Sequence, residues 1–64
     1  MNGKIKKWLG DKNFGFIETP EKEYFFHISG CVPGFEPSEG VEVTFIVWSN
    51  ERTGREQAQE VQAA

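Results

Sequence analysis

The chain has one cysteine, one histidine and three prolines in 64 residues, and no long apolar run. A single cysteine excludes an internal disulfide and a zinc site built on several cysteines. Cys31 is read instead as a small, partly buried apolar residue of a protein kept in a reducing compartment. No stretch approaches the length of about 18 apolar residues that a spanning helix needs, and no signal peptide is legible. The chain as given is therefore expected to be soluble and cytoplasmic, with no membrane partner. Metal clusters, phosphate-cradling glycine loops and triad spacings are missing too, so no cofactor is expected. His27 has no serine, cysteine or carboxylate set around it in the sequence that would make it a general base. A chain this short forms one domain and buries only about 60% of the surface it exposes when unfolded.

Positive charge is also scarce. The formal net charge is −3, which argues against a nucleic-acid partner until its distribution is read. Lys4, Lys6, Lys7 and Lys12 fall in the first 17 residues against Asp11 alone, whereas Glu36 to the end carries six glutamates and only Arg52 and Arg55. Local fields outweigh net charge when phosphates approach one face.

What the chain does have is aromatic residues in short alternating runs. Residues 3–9 alternate well enough for a first strand, with Ile5 and Leu9 inward. Gly10-Asp11-Lys12-Asn13 supplies turn chemistry, and residues 14–18 make a second strand. Glu21-Lys22-Glu23 after Pro20 is a hairpin connection, and residues 24–28 make a third strand. Ser29 to Glu39 is broken by Gly30, Pro33, Gly34 and Pro37 and reads as a loop carrying Phe35. Val41, Val43, Phe45 and Val47 alternate with Glu42, Thr44, Ile46 and Trp48, a period of two that predicts a fourth strand. Ser49 to Gly54 is a polar loop, and residues 56–61 a fifth strand with Ala58 and Val61 inward. A helix over the tail has too few apolar residues to hold it down. Five short strands predict an all-β, five-stranded antiparallel barrel, since closure removes exposed edges.

Side chains alternate between the two faces of a strand. Phe14 and Phe16 therefore share one face of the second strand, and Phe25 and His27 share one face of the third. Ile17, Tyr24, Phe26 and Ile28 fall on the opposite faces. One side suffices to build a core, so the second set of rings calls for another role: a platform on which unpaired bases stack. Gly15, between two outward rings, would point inward; glycine within a strand is costly unless something needs the space.

Lys12-Asn13-Phe14-Gly15-Phe16-Ile17 resembles the first ribonucleoprotein-type motif of the bacterial cold-shock proteins, Lys-Gly-Phe-Gly-Phe-Ile. Phe25-Phe26-His27-Ile28-Ser29 resembles their second, Phe-Val-His-Phe-Ser. Gly3-Lys4-Ile5-Lys6 is similar to the family's opening strand, Glu39-Gly40 before Val43-Thr44-Phe45 to its fourth, and Gln57-Ala58 with Val61 to its last. The resemblance spans essentially the whole chain. It implies an OB-fold barrel that binds single-stranded RNA or DNA over strands one to three and acts as an RNA chaperone, without ATP.

The departures are specific. Lys7 stands where the family's stacking tryptophan belongs and Trp8 on the following aromatic, so either Trp8 joins the platform through a register change or the platform has lost a ring. Asn13 replaces a glycine, and asparagine tolerates left-handed backbone better than most residues. Ile28 replaces a phenylalanine next to the histidine. Tyr24 and Phe26 replace smaller residues on the core face. The loop before Phe35 is about one residue shorter than usual and the loop around Arg52 about two longer on an ungapped reading.

The expected binding residues are then Lys4, Lys6, Trp8, Lys12, Phe14, Phe16, Phe25, His27 and Phe35. Each ring that stacks a base is worth about 1–3 kcal/mol, and three support micromolar binding or better after association costs. The lysines line the backbone path, although adjacent Lys6 and Lys7 cannot face the same way. Phe35 either folds over the last base as a clamp or plugs the core under its loop. Ile46 and Trp48 remain outside this account and point to the rival reading, a protein-interaction module of similar outline. A nucleic-acid-binding N-terminal module of a larger protein is a third. The domain is expected to be a monomer.

Overall fold

The computed structural model describes residues 1–64. Five strands, β1 (Asn2–Leu9), β2 (Phe14–Glu18), β3 (Glu23–His27), β4 (Glu42–Ser49) and β5 (Glu56–Ala63), close into a barrel in the order β1-β2-β3-β5-β4, with β4 returning to β1. There is no α-helix; a single 3-10 turn, Ile28–Gly30, follows β3. All neighbours are antiparallel except β3 and β5, which run parallel with Phe25 opposite Gln57. This corrects the fully antiparallel expectation at one seam, and the reason is arithmetic. Strand directions cannot alternate all the way round a ring with an odd number of members. An exposed ion pair between Lys22 and Glu56 crosses that seam.

The core consists of Ile5, Ile17, Tyr24, Phe26, Val43, Phe45, Ala58 and Val61, with every strand contributing. The period of two in β4 delivers Val43 and Phe45 inward and leaves Ile46 and Trp48 exposed. Tyr24 and Phe45 pack with ring centroids 5.5 Å apart. Cys31 and Phe35 pack against this core from the loop that follows β3. Burial raises the Cys31 thiol above its ordinary pKa.

Two bulges complete the inward set. In β1, Ile5 is opposite Ile17 but Lys7 is opposite Phe16, so Lys6 is an extra residue. The inserted residue turns both Ile5 and Trp8 toward the core, although they are three apart in sequence. In β5, Gln62 is opposite Thr44 and Gln59 opposite Ile46, three steps against two. Glu60 absorbs the extra residue with a left-handed φ of 52°. Ala58 and Val61, also three apart, are both fully buried as a result.

Two expectations for the strand ends are corrected. Leu9 lies opposite Phe14, on the outer side of β2, because the bulge at Lys6 shifts the alternation downstream of it. Ile28 does not continue β3 inward. It opens the 3-10 turn and is exposed, while its N–H donates to the Asn13 carbonyl at 2.8 Å. Asn13 takes a φ of 59° there, within the left-handed region that asparagine tolerates.

Candidate nucleic-acid interface

The outer surface of β1, β2 and β3 is organised in three rows set by the register. The first row is Leu9, Phe14 and His27. The second is Lys7, Phe16 and Phe25. The third places Lys4 opposite Glu18 and Glu18 opposite Glu23. Directly behind the rings lies the inner row Trp8, Gly15 and Phe26.

Phe14, Phe16 and Phe25 are each half-buried and touch one another, with centroids 5.5 to 6.0 Å apart. None belongs to the core cluster. Their planes are mutually inclined, by 88° for Phe14 and Phe16, 69° for Phe16 and Phe25, and 39° for Phe14 and Phe25. Edge-to-face contact suits the ring quadrupoles and leaves ring faces turned in different directions. A ligand that stacks on all three must reorient from one unit to the next. Unpaired nucleotides with free backbone torsions can do so, whereas the coplanar, paired bases of a duplex cannot.

His27 is exposed at the edge of this cluster, opposite Phe14. Its Nδ1 accepts the backbone N–H of Ser29 at 3.1 Å and lies 3.0 Å from the Ser29 hydroxyl. With Nδ1 accepting, the neutral ring carries its proton on Nε2, which leaves a donor for a phosphate or base edge.

Trp8 is not part of the ring cluster. Its indole stacks on buried Phe26 at 5.4 Å with only 17° between planes, on the inner side of the sheet. Lys7 takes the outward position opposite Phe16 instead. Of the two registers that the sequence left open, the structure adopts the one in which the outer face lacks a ring on β1, and the bulge at Lys6 is the cause. Phe35 likewise packs against the core as a plug, with its N–H bonded to the Val32 carbonyl at 3.2 Å, rather than standing beside the rings.

The expected lysines separate into different environments. Lys6 donates to Glu23 at 2.6 Å and has Glu18 at 3.8 Å. The hydrogen bond and charge of Glu23, with a smaller share from Glu18, hold its ammonium above the ordinary lysine pKa. Lys4 is opposite Glu18 on one side and Glu42 on the other. Lys12 is exposed in the turn between β1 and β2 and makes no ion pair. Lys7, one of the lysines expected along the backbone path, is opposite Phe16, and two residues not expected at the site, Arg55 and Gln57, share a cleft with Phe16 and Phe25. The register brings Gln57 to Phe25 across the parallel seam, and no local pattern in the sequence announces that pairing.

No group of histidine, cysteine or acidic side chains is placed to hold a metal ion. No helix is long and apolar enough to cross a membrane. No individual curated protein matches the chain. The family model described as the 'Cold-shock' DNA-binding domain matches residues 1–64, from first residue to last. With that match and a closed five-stranded barrel, the chain belongs to the cold-shock domain family of nucleic-acid-binding proteins.

Proposed function

We propose that this domain binds single-stranded RNA or DNA by stacking unpaired bases on Phe14, Phe16 and Phe25. His27 donates from Nε2 at one end of the cluster, and Lys7 and Lys12 meet the backbone phosphates. A protein that holds bases unpaired by stacking needs no ATP, and this chain acts as a monomeric RNA chaperone in the cytoplasm. One observation carries the reading: three mutually inclined, half-exposed rings sit on the side of the sheet that the core does not use. Stacking accepts any base because every base has a π-face.

The test is an amide-shift titration with an oligothymidylate and with the matching duplex, at low and moderate salt. Shifts clustered at residues 14–16 and 25–27 for the single strand, and weak for the duplex, are expected. Phe16→Ala and Phe25→Ala should each weaken binding by about 1–3 kcal/mol while the barrel stays folded. A folded barrel whose signals move with neither ligand would remove the proposal and turn attention to a protein partner. Opening of a fluorophore-quencher RNA hairpin without nucleotide, abolished in Phe16→Ala, tests the chaperone role.

A further inference from the structure

Trp48 is 46% exposed and Ile46 51% exposed on the outer side of β4, apolar surface that the stacking site above does not use. The register places Trp48 opposite Gln57 on β5, and Gln57 opposite Phe25 on β3. Ala58 next to Gln57 is fully buried, so Gln57 faces outward. One outward row therefore crosses all five strands: Lys7, Phe16, Phe25, Gln57, Trp48. Two surface clefts meet at its fourth member. Gln57 lines one with Phe16, Phe25 and Arg55, and it lines the other with Ile46 and Trp48.

We infer that the single-strand track continues beyond the three rings, across Gln57, and ends with a base stacked on Trp48; this rests on the stacking function proposed above. Two interstrand steps of about 4.8 Å put Trp48 about 10 Å from Phe25 along the row, within reach of a continuing nucleotide chain. The chemistry of the row suits that occupant. Gln57 has an amide that both donates and accepts toward a base edge, Arg55 supplies the cation for a phosphate between the two stacks, and Trp48 supplies a ring face. Glu56 in the first cleft is paired with Lys22, so its charge is already compensated. Glu60, which lines the second cleft, disfavours phosphate there, and the contact on Trp48 falls on the base.

The test compares oligothymidylates of about four and about eight nucleotides, within the range of sites that single OB-folds occupy, by fluorescence anisotropy with the parent chain, Trp48→Ala, Trp48→Phe and Phe16→Ala. The shorter strand covers the three rings, and the longer one has chain to spare for Trp48. Trp48→Ala is expected to weaken the longer strand about tenfold and leave the shorter unchanged, with Trp48→Phe restoring most of the loss. Phe16→Ala is expected to weaken both. If Trp48→Ala has no effect at either length while Phe16→Ala weakens both, the extension is wrong and the three-ring site stands. A parent chain that binds neither strand overturns both readings. A parent chain that sediments as a dimer, returned to monomer by Trp48→Ala with no change in the length dependence, makes this face a contact between copies and overturns the extension.

Discussion

Replacing Gly15 with alanine probes the packing that stands behind the proposed binding face. Gly15 lies between Trp8 and Phe26 in the inner row, opposite both. Strands β1 and β3 are two interstrand steps apart, about 10 Å, yet the Trp8 and Phe26 rings meet at 5.4 Å. They meet because Gly15 has no side chain and the rings lean over it. A Cβ there would stand 3.0 Å from Trp8 Cε3 and 3.1 Å from Phe26 Cε1, and would collide with the Lys7 carbonyl oxygen. The rings can yield by a few tenths of an ångström. The carbonyl must retreat to reach an ordinary C···O contact of about 3.3 Å, and it belongs to the bulged strand.

Overpacking of this kind costs about 1–3 kcal/mol, and a separated aromatic pair adds about 0.5–1.5 kcal/mol. The expected loss is about 2–4 kcal/mol, from a domain whose whole stability at this length is about 3–10 kcal/mol. At about 4–8 °C per kcal/mol for a domain of this size, the melting midpoint should fall by about 8 °C even in the weakest case. Thermal unfolding followed by far-UV circular dichroism reads this directly. Tryptophan emission adds the environment of Trp8, best recorded in a Trp48→Phe background. A midpoint within about 3 °C of the parent would refute the argument that glycine is required under the rings. In a Trp8→Ala background the same substitution should cost less, because one of its three contacts is gone.

Glu23→Gln removes the main partner of Lys6 and should release that ammonium to phosphate. The expected outcome is tighter binding of an oligothymidylate at low salt, with a slope of log K against log salt steeper by about 0.7; an unchanged slope would mean that Lys6 lies off the path. Lys7→Trp places a ring opposite Phe16 where β1 presents none, and should tighten binding by about 1–3 kcal/mol less the loss of one phosphate contact. Equal or weaker affinity for Lys7→Trp in the same anisotropy assay would show that bases do not reach β1.

Much of the barrel was legible because local rules set it. The period of two over 41–48 predicts a strand and names Val43 and Phe45 as its buried members, and Asn13 sits in a turn that uses its left-handed tolerance. Rings on both faces of β2 and β3 separate correctly into a core set and an outer set from alternation alone. What stayed hidden depends on closure. The bulges at Lys6 and Glu60 have no signature in composition; they arise because a ring of strands must bring β1 and β5 back into register with both neighbours. The first hands the outward place to Lys7, turns Trp8 onto Phe26 and puts Leu9 outside. The parallel seam that joins Phe25 to Gln57 follows from strand number, which no window of sequence displays. Phe35 was ambiguous for a different reason: a lone aromatic on a broken loop has no periodicity to say which way it faces.

The charge arrangement makes a further demand on the mechanism. A polyanion meets a chain of net charge −3, so the cations beside the rings must be few and local. Lys6 is tied to Glu23, Lys22 to Glu56, and Lys4 stands between Glu18 and Glu42. Lys7, Lys12 and Arg55 are left near the rings, and none of them forms an ion pair. At about 0.7 counterion per phosphate on a single strand, three such contacts give a slope of log K against log salt near −2. If the proposed stacking supplies most of the affinity, binding should survive moderate salt, which does not screen stacking. Anisotropy titrations with an oligothymidylate across a tenfold range of salt measure the slope. A value steeper than about −4 would need roughly six neutralised phosphates, more than the unpaired cations beside the rings supply. In that case the strand would have to run past the lysines at the Glu18 and Glu42 end of β1 and displace their carboxylates, and the three rings would no longer be the main source of affinity.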